Sequence, residues 1–226
     1  MLTAELHTHT ALSRDGRDGV ELLLEQAEAV GLDALAVTDH DAIEASLRAE
    51  ALAPEYGLLG IPGIEVTSRA GHVIGLGVRE AIAPGQSFEV TARAIHDAGG
   101  IVVVPHPFQS SRHGVLTAID PAPVVEHADA IEVYNSRLLT GRSNRQADRF
   151  ATRHGLPRVA GSDAHICEMV GQAVTHIDAD ADTVEAVVEA IAAGRTEIEG
   201  KRTPWRISLR QAGGGARRRL RRRLPW

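Results

Sequence analysis

Short apolar runs rich in β-branched residues alternate with segments of helical periodicity along most of the chain. The runs predict strands over residues 2–6, 34–38, 58–64, 73–76, 101–104, 130–134 and 157–160. Between them, residues 19–30 place Val20, Leu23, Leu24, Ala27 and Val30 on one helical face, and residues 89–98, 144–154 and 183–193 read the same way. Gly31, Gly99, Gly155 and Gly194 follow these four helices, where a left-handed C-terminal cap would sit. Strand and helix alternating this often predict a parallel α/β architecture, a barrel or partial barrel.

Composition narrows the class without changing this picture. Only 3% of the 226 residues are aromatic, so the core must come from Ala, Val, Leu and Ile. There is no apolar run of about 18 residues, so no membrane span is expected. The opening MLTAELHTHT lacks the charged and apolar regions of a signal peptide, which gives a cytoplasmic expectation. Cys167 is the single cysteine, which rules out an internal disulfide and a thiolate-rich zinc site.

The net charge of −6 hides an asymmetry. Residues 201–226 hold ten of the 24 basic residues and no acidic one, leaving residues 1–200 strongly acidic. We therefore divide the chain into a domain over 1–200 and an Arg-rich tail over 201–226. After Gly213, Gly214 and Gly215 the tail is either a solvated extension or an arm for nucleic acid or another polyanion.

The polar residues at the strand ends point to chemistry. The first predicted strand runs into His7 and His9, the second into Asp39 and His40, and the third into Glu65. The hairpin beyond it opens with His72, the fifth strand ends at His106, the sixth contains Glu132, and the seventh is followed by Asp163 and His165. In α/β barrels the carboxyl ends of the strands converge on one face, where active sites are built. In extended chain, His-x-His and Asp-x-His each place both side chains on one side. Imidazole with carboxylate suits zinc, iron or manganese, and a carboxylate can bridge two ions. Asp39 either caps a helix beginning near Asp41 or supports a ligand, and Glu132 either ligates or orients a neighbour. His96, His127, His154 and His176 read as ordinary, and Cys167 as a small packed residue.

The order HTHTALSRDG, AVTDHD, GIEV, GHVIGLG, VVPHP, IEVYN and GSDAH resembles the PHP family, named for polymerase and histidinol phosphatase domains. The likeness runs from Leu2 to about Ile198. It implies a distorted (β/α)7 barrel with two or three divalent ions and phosphoesterase activity. It further implies that His7, His9, Glu65 and Asp163 hold a first ion. Glu65 would bridge to a second ion held with His106 and His72, and Asp15, His40 and His165 would hold a third. The family's Ser-Asp-Gly is interrupted here by Arg14, so Asp15 reaches the metals only if the loop absorbs one residue.

Arg112, His113, Asn135 and Arg137 follow the fifth and sixth strands and are the expected substrate contacts, an arginine fork suiting a phosphate oxygen pair. Glu65, Asp163 and His165 are expected to carry catalysis. The expected reaction is attack of a metal-bridging hydroxide on the phosphoester of a small phosphorylated metabolite or nucleotide. Two other readings stay open: a nuclease that uses the basic tail, and a non-catalytic metal-binding regulatory domain.

Overall fold

The computed structural model describes residues 1–137, 141–204, 206 and 207. The chain runs β1 (Leu2–Thr8), α1 (Val20–Ala29), β2 (Ala34–Val37), α2 (Glu44–Leu52), β3 (Leu59–Thr67), β4 (His72–Leu76), α3 (Phe88–Asp97) and β5 (Ile101–Val104). It continues through α4 (Pro121–His127), β6 (Ala130–Asn135), α5 (Arg142–His154), β7 (Arg158–Gly161), β8 (Ala173–Ile177), α6 (Val184–Ala192) and β9 (Thr196–Gly200). The four expected helix-ending glycines all have positive φ, between 67° and 79°, a backbone that a β-carbon would strain. Among the described residues, no helix is long and apolar enough to cross a membrane.

The strands form one sheet in the order β7-β6-β5-β4-β3-β2-β1-β8-β9. It curls into a nearly closed barrel, so the expected distorted barrel is the observed fold. Among the described residues, closure uses no continuous ladder between β7 and β1. Instead the Thr175 hydroxyl of β8 bonds both the amide (2.9 Å) and the carbonyl (3.0 Å) of Ala160 in β7, and His9 donates its amide to the Ala164 carbonyl at 2.7 Å.

The parallel arrangement is interrupted at β4 and at β8 and β9. β1, β2 and β3 are parallel to one another, as are β5, β6 and β7, but β4 runs antiparallel to both its neighbours. β8 and β9 are a further antiparallel pair attached to β1. Because β4 is reversed, its first residue, His72, sits opposite Thr67, the last residue of β3, and just beyond the end of β5.

The core explains which way the strand residues face. Ala4, Leu6, Ala34, Ala36, Ile61, Leu76, Val103 and Val159 pack with Val184, Val187, Val188 and Ile191 of α6, which plugs one end of the barrel. Leu35 and Val37 face the other way, onto Leu23 and Leu24 of α1. Glu5 is paired with Leu35, yet Thr8, not His7, is paired with Val37, so β1 carries a bulge. That extra residue brings both Leu6 and His7 to the inner side. A second bulge between Glu132 and Tyr134 acts on β6. Bulges of this kind re-aim side chains beside active sites.

Candidate metal centre

Each strand end delivers its polar residue to the open mouth opposite α6. Glu65, buried with 1% exposure, lies at the centre. Its Oε1 is 3.1 Å from His72 Nδ1 and 3.4 Å from His106 Nε2. Its Oε2 is 3.2 Å from both His9 Nε2 and His40 Nδ1 and 3.5 Å from His7 Nε2. Asp163 Oδ1 lies 3.2 Å from His165 Nδ1, 3.7 Å from His9 Nε2 and 4.0 Å from His7 Nε2. Asp15 Oδ2 is 2.8 Å from His165 Nε2, and its Oδ1 is 3.8 Å from His40 Nε2. The structure therefore brings together all nine residues named as ligands, Asp15 included. The loop absorbs the extra Arg14 by folding tightly: a β-carbon on Gly16 would lie 2.0 Å from the Thr10 carbonyl oxygen.

The potential ligand atoms fall into overlapping groups, each within 4.8 Å: His7, His9 and Asp163; His7, Glu65 and His106; His40, Glu65 and His72; and His9, Asp15, His40 and His165. His72 thus clusters with His40 across Glu65, whereas the resemblance pairs it with His106. Within this cluster His7 Nε2, both nitrogens of His9, His40 Nδ1, both nitrogens of His72, His106 Nδ1 and Glu65 Oε1 are buried without a hydrogen-bond partner. Orphaned buried polar atoms each cost about 1–3 kcal/mol. Divalent ions taking imidazole nitrogen and carboxylate oxygen would satisfy them together, so the donor set fits zinc, manganese or iron.

Charge is distributed unevenly among these groups. Burial, aided by the neighbouring His165, lowers the His9 pKa to about 3, leaving a neutral imidazole. Burial also opposes charge on His7, but Glu132 and Glu65 outweigh it and raise its pKa well above the usual value. Burial is likewise outweighed at Glu65, where His40 and His7 hold the carboxyl far below its usual range. At Asp163 the two guanidiniums of Arg137 and Arg112 do the same.

These arginines sit at the mouth. Arg112 donates to Asp163 Oδ2 at 2.8 Å and Arg137 to Asp163 Oδ1 at 2.9 Å. Arg137 Nε is buried without a partner, a free donor beside the cluster. The His113 ring lies 5.2 Å from that of His72, and the His113 carbonyl accepts the His72 amide at 2.9 Å. Asn135 is buried, and both its polar atoms are engaged: Nδ2 donates to Glu132 at 2.9 Å and Oδ1 accepts the Arg137 amide at 3.1 Å. Among the described residues only Asp41, His106, His113 and Asp163 combine a side chain with positive φ. Three of these four line this mouth, where stored strain is commonly spent on function.

Two residues left open by the sequence are now placed. Asp39 caps no helix, because α2 begins only at Glu44. Instead it accepts both the amide and the hydroxyl of Thr10, pinning the chain just beyond His9. Glu132 contacts His7 Nδ1 at 2.9 Å and accepts the His106 amide at 2.8 Å. Glu5 was not anticipated. It is fully buried, and its carboxylate accepts the amides of His7 (3.2 Å), Ser162 (2.9 Å) and Gly171 (3.2 Å). Burial pushes its pKa up to about 7 against those three bonds. No pattern in the sequence separates it from other strand glutamates. Burial, with Asp18 and Glu168 nearby, likewise raises the Cys167 thiol to about 11, which keeps it protonated.

Comparison with known proteins adds an independent line. A family model described as PHP domain matches residues 5–140, and one described as PHP-associated matches residues 141–196. The phosphoribosyl 1,2-cyclic phosphate 1,2-diphosphodiesterase of Eggerthella lenta is 39% identical over 82 residues, 34% of this chain and 31% of that enzyme. The chain thus matches about a third of that relative's length. A two-domain protein from Bacteroides vulgatus containing a predicted PHP-like metal-dependent phosphoesterase superposes with a TM-score of 0.76 at 20% identity, over 88% of this chain and 65% of that one. A lesion-specific endonuclease from Pyrococcus furiosus superposes with a TM-score of 0.66 at 18% identity, over 87% and 57% of the two chains. At these identities the structural likeness establishes the fold.

Proposed function

The chain belongs to the PHP family of metal-dependent phosphoesterases, and we propose that it hydrolyses a phosphoester of a small phosphorylated metabolite or nucleotide. The observation that carries this reading is the set of partnerless buried imidazole nitrogens converging on Glu65. His7, His9, Asp15, His40, Glu65, His72, His106, Asp163 and His165 would hold two or three ions. When bound, such ions supply charge neutralisation at the phosphoryl oxygens and a water made nucleophilic at neutral pH. Glu65 and Asp163 keep the imidazoles in register. Arg112 and Arg137 would hold the phosphate at the mouth, and His165, in contact with Asp15 and Asp163, would serve as one of the ligands. Residues 1–200 form the catalytic domain in this reading. A metal-supplemented screen over phosphomonoesters, cyclic and linear nucleotides and oligonucleotides tests it. Turnover of one small class supports the reading, and turnover of none overturns it.

The planar guanidinium of Arg137 gives a finer test. Lysine keeps the charge but loses the fork, so Arg137→Lys should leave metal content unchanged and lower kcat/KM about tenfold or more, from roughly 1.5–3 kcal/mol of lost charge-assisted bonding. Arg153→Lys, on the exposed side of α5, should be silent. Equal behaviour of the two variants would move the phosphate contact to Arg112.

One observation favours a nuclease as the second reading. After β9, Thr203 is buried and donates its amide at 3.0 Å to the carbonyl of Ser136, the residue between Asn135 and Arg137. The Arg-rich sequence follows Thr203 in the chain, and clustered arginines suit a polyanion. Residues 208–226 of that tail lie outside the described residues. Deleting residues 212–226 should leave turnover of a small phosphoester unchanged. A salt-dependent loss of oligonucleotide affinity on deletion would favour the nuclease instead.

A further inference from the structure

We propose that Glu132 is the residue that positions His7 for cation binding, by fixing which of its ring nitrogens carries the proton. This rests on the metal-dependent reading above and adds to it a residue outside the ligand set. The Glu132 carboxylate is 2% exposed and meets three groups. Its Oε1 faces His7 Nδ1 at 2.9 Å, and its Oε2 accepts both the His106 amide (2.8 Å) and Asn135 Nδ2 (2.9 Å). The latter two are donors under any assignment, since an amide N–H and an NH2 group cannot accept. A carboxylate between them offers only acceptor capacity, so His7 Nδ1 must be the protonated nitrogen. In the neutral imidazole that a cation requires, the proton on Nδ1 leaves Nε2 with its lone pair directed at the cluster, 3.5 Å from Glu65 and 4.0 Å from Asp163.

The surroundings are built around this contact. A β-carbon on Gly161 would lie 2.6 Å from His7 Cβ and 2.7 Å from Glu132 Oε1, so β7 has room for the pair only because it carries glycine there. The same carboxylate holds the amide of His106, whose φ of 31° places it in a strained conformation. Through Asn135 it also reaches the Arg137 amide, and Arg137 returns to Asp163. One buried anion therefore ties together His7, His106 and the phosphate-side arginine.

Glu132→Gln separates this role from mere packing because glutamine has the same shape but one donor end. If its NH2 faces His106 and Asn135, donors oppose donors. If its NH2 faces His7, Nδ1 must accept and the proton moves to Nε2, which can then no longer bind a cation. In zinc or manganese titrations against a chromophoric chelator, the weakest-affected equivalent should be unchanged and at least one should weaken about 10–100-fold. The unfolding midpoint of the metal-stripped protein is measured alongside. A folded Glu132→Gln with wild-type affinity for every equivalent overturns the proposal, whatever its midpoint. Should Glu132→Gln not fold, Glu132→Asp and Glu132→Asn, equal in length and differing only in the carboxylate, must show the same gap in affinity, and equal affinities overturn it. A wild-type protein that binds no metal overturns the parent reading together with this one, whereas wild-type binding with an unaffected variant overturns this one alone.

Discussion

Glu65→Gln should abolish most activity and release metal, with kcat/KM falling about 10³-fold. The carboxylate stands among five imidazoles, with Oε1 facing His72 and His106 and Oε2 facing His7, His9 and His40. Glutamine removes the negative charge and turns one oxygen into a donor, which cannot bind a cation or face an imidazole nitrogen that does. A loss of roughly 4 kcal/mol of charge stabilisation corresponds to three powers of ten in rate. Metal content, read by elemental analysis, should fall by at least one equivalent. Glu44→Gln, on the exposed first turn of α2, should change neither. Retained activity in Glu65→Gln would remove this residue from the site.

The largest effect on stability is expected at Glu5. Its carboxylate ties the amide of His7 on β1 to those of Ser162, beyond β7, and Gly171, before β8. These contacts lace the seam where no continuous ladder closes the barrel. Glu5→Ala would strand three buried N–H donors at about 1–3 kcal/mol each, a total of at least ~3 kcal/mol. For a chain of this size that lowers the melting temperature by about 6–12 °C. Thermal unfolding of the metal-stripped protein checks it, since the effect needs no bound ion. A midpoint within about 2 °C of wild type would mean that water replaces the lost acceptor and that the seam is held elsewhere.

The contrast between Glu65 and Glu5 marks what the sequence could reveal. Glu65, His72, His106 and Asp163 stand at the ends of short apolar runs, and the convergence of strand ends in a barrel makes that position legible. Glu5 interrupts the interior of a run, where its neighbours Ala4 and Leu6 give no sign that three distant amides await it. Asp39 and Glu132 could be narrowed only to two roles each, because what decides between them is contact with Thr10, and with His7 and His106, far away in sequence. Strand direction was legible only at the hairpin that opens with His72, since nothing in the composition of β4 marks its antiparallel pairing with β5. β8 and β9 escaped notice because AVTHI and TEIEG are short and mixed in polarity, and β9 is largely exposed. The bulge in β1 matters most. A strict period of two separates Leu6 from His7, and only the extra residue lets both face inward.

The account stands or falls on whether the cluster binds metal. Protein stripped with chelator, reconstituted separately with zinc, manganese and iron, and freed of excess ion should retain at least two equivalents of one of them by elemental analysis. Retention of none, by a protein that remains folded, would contradict it.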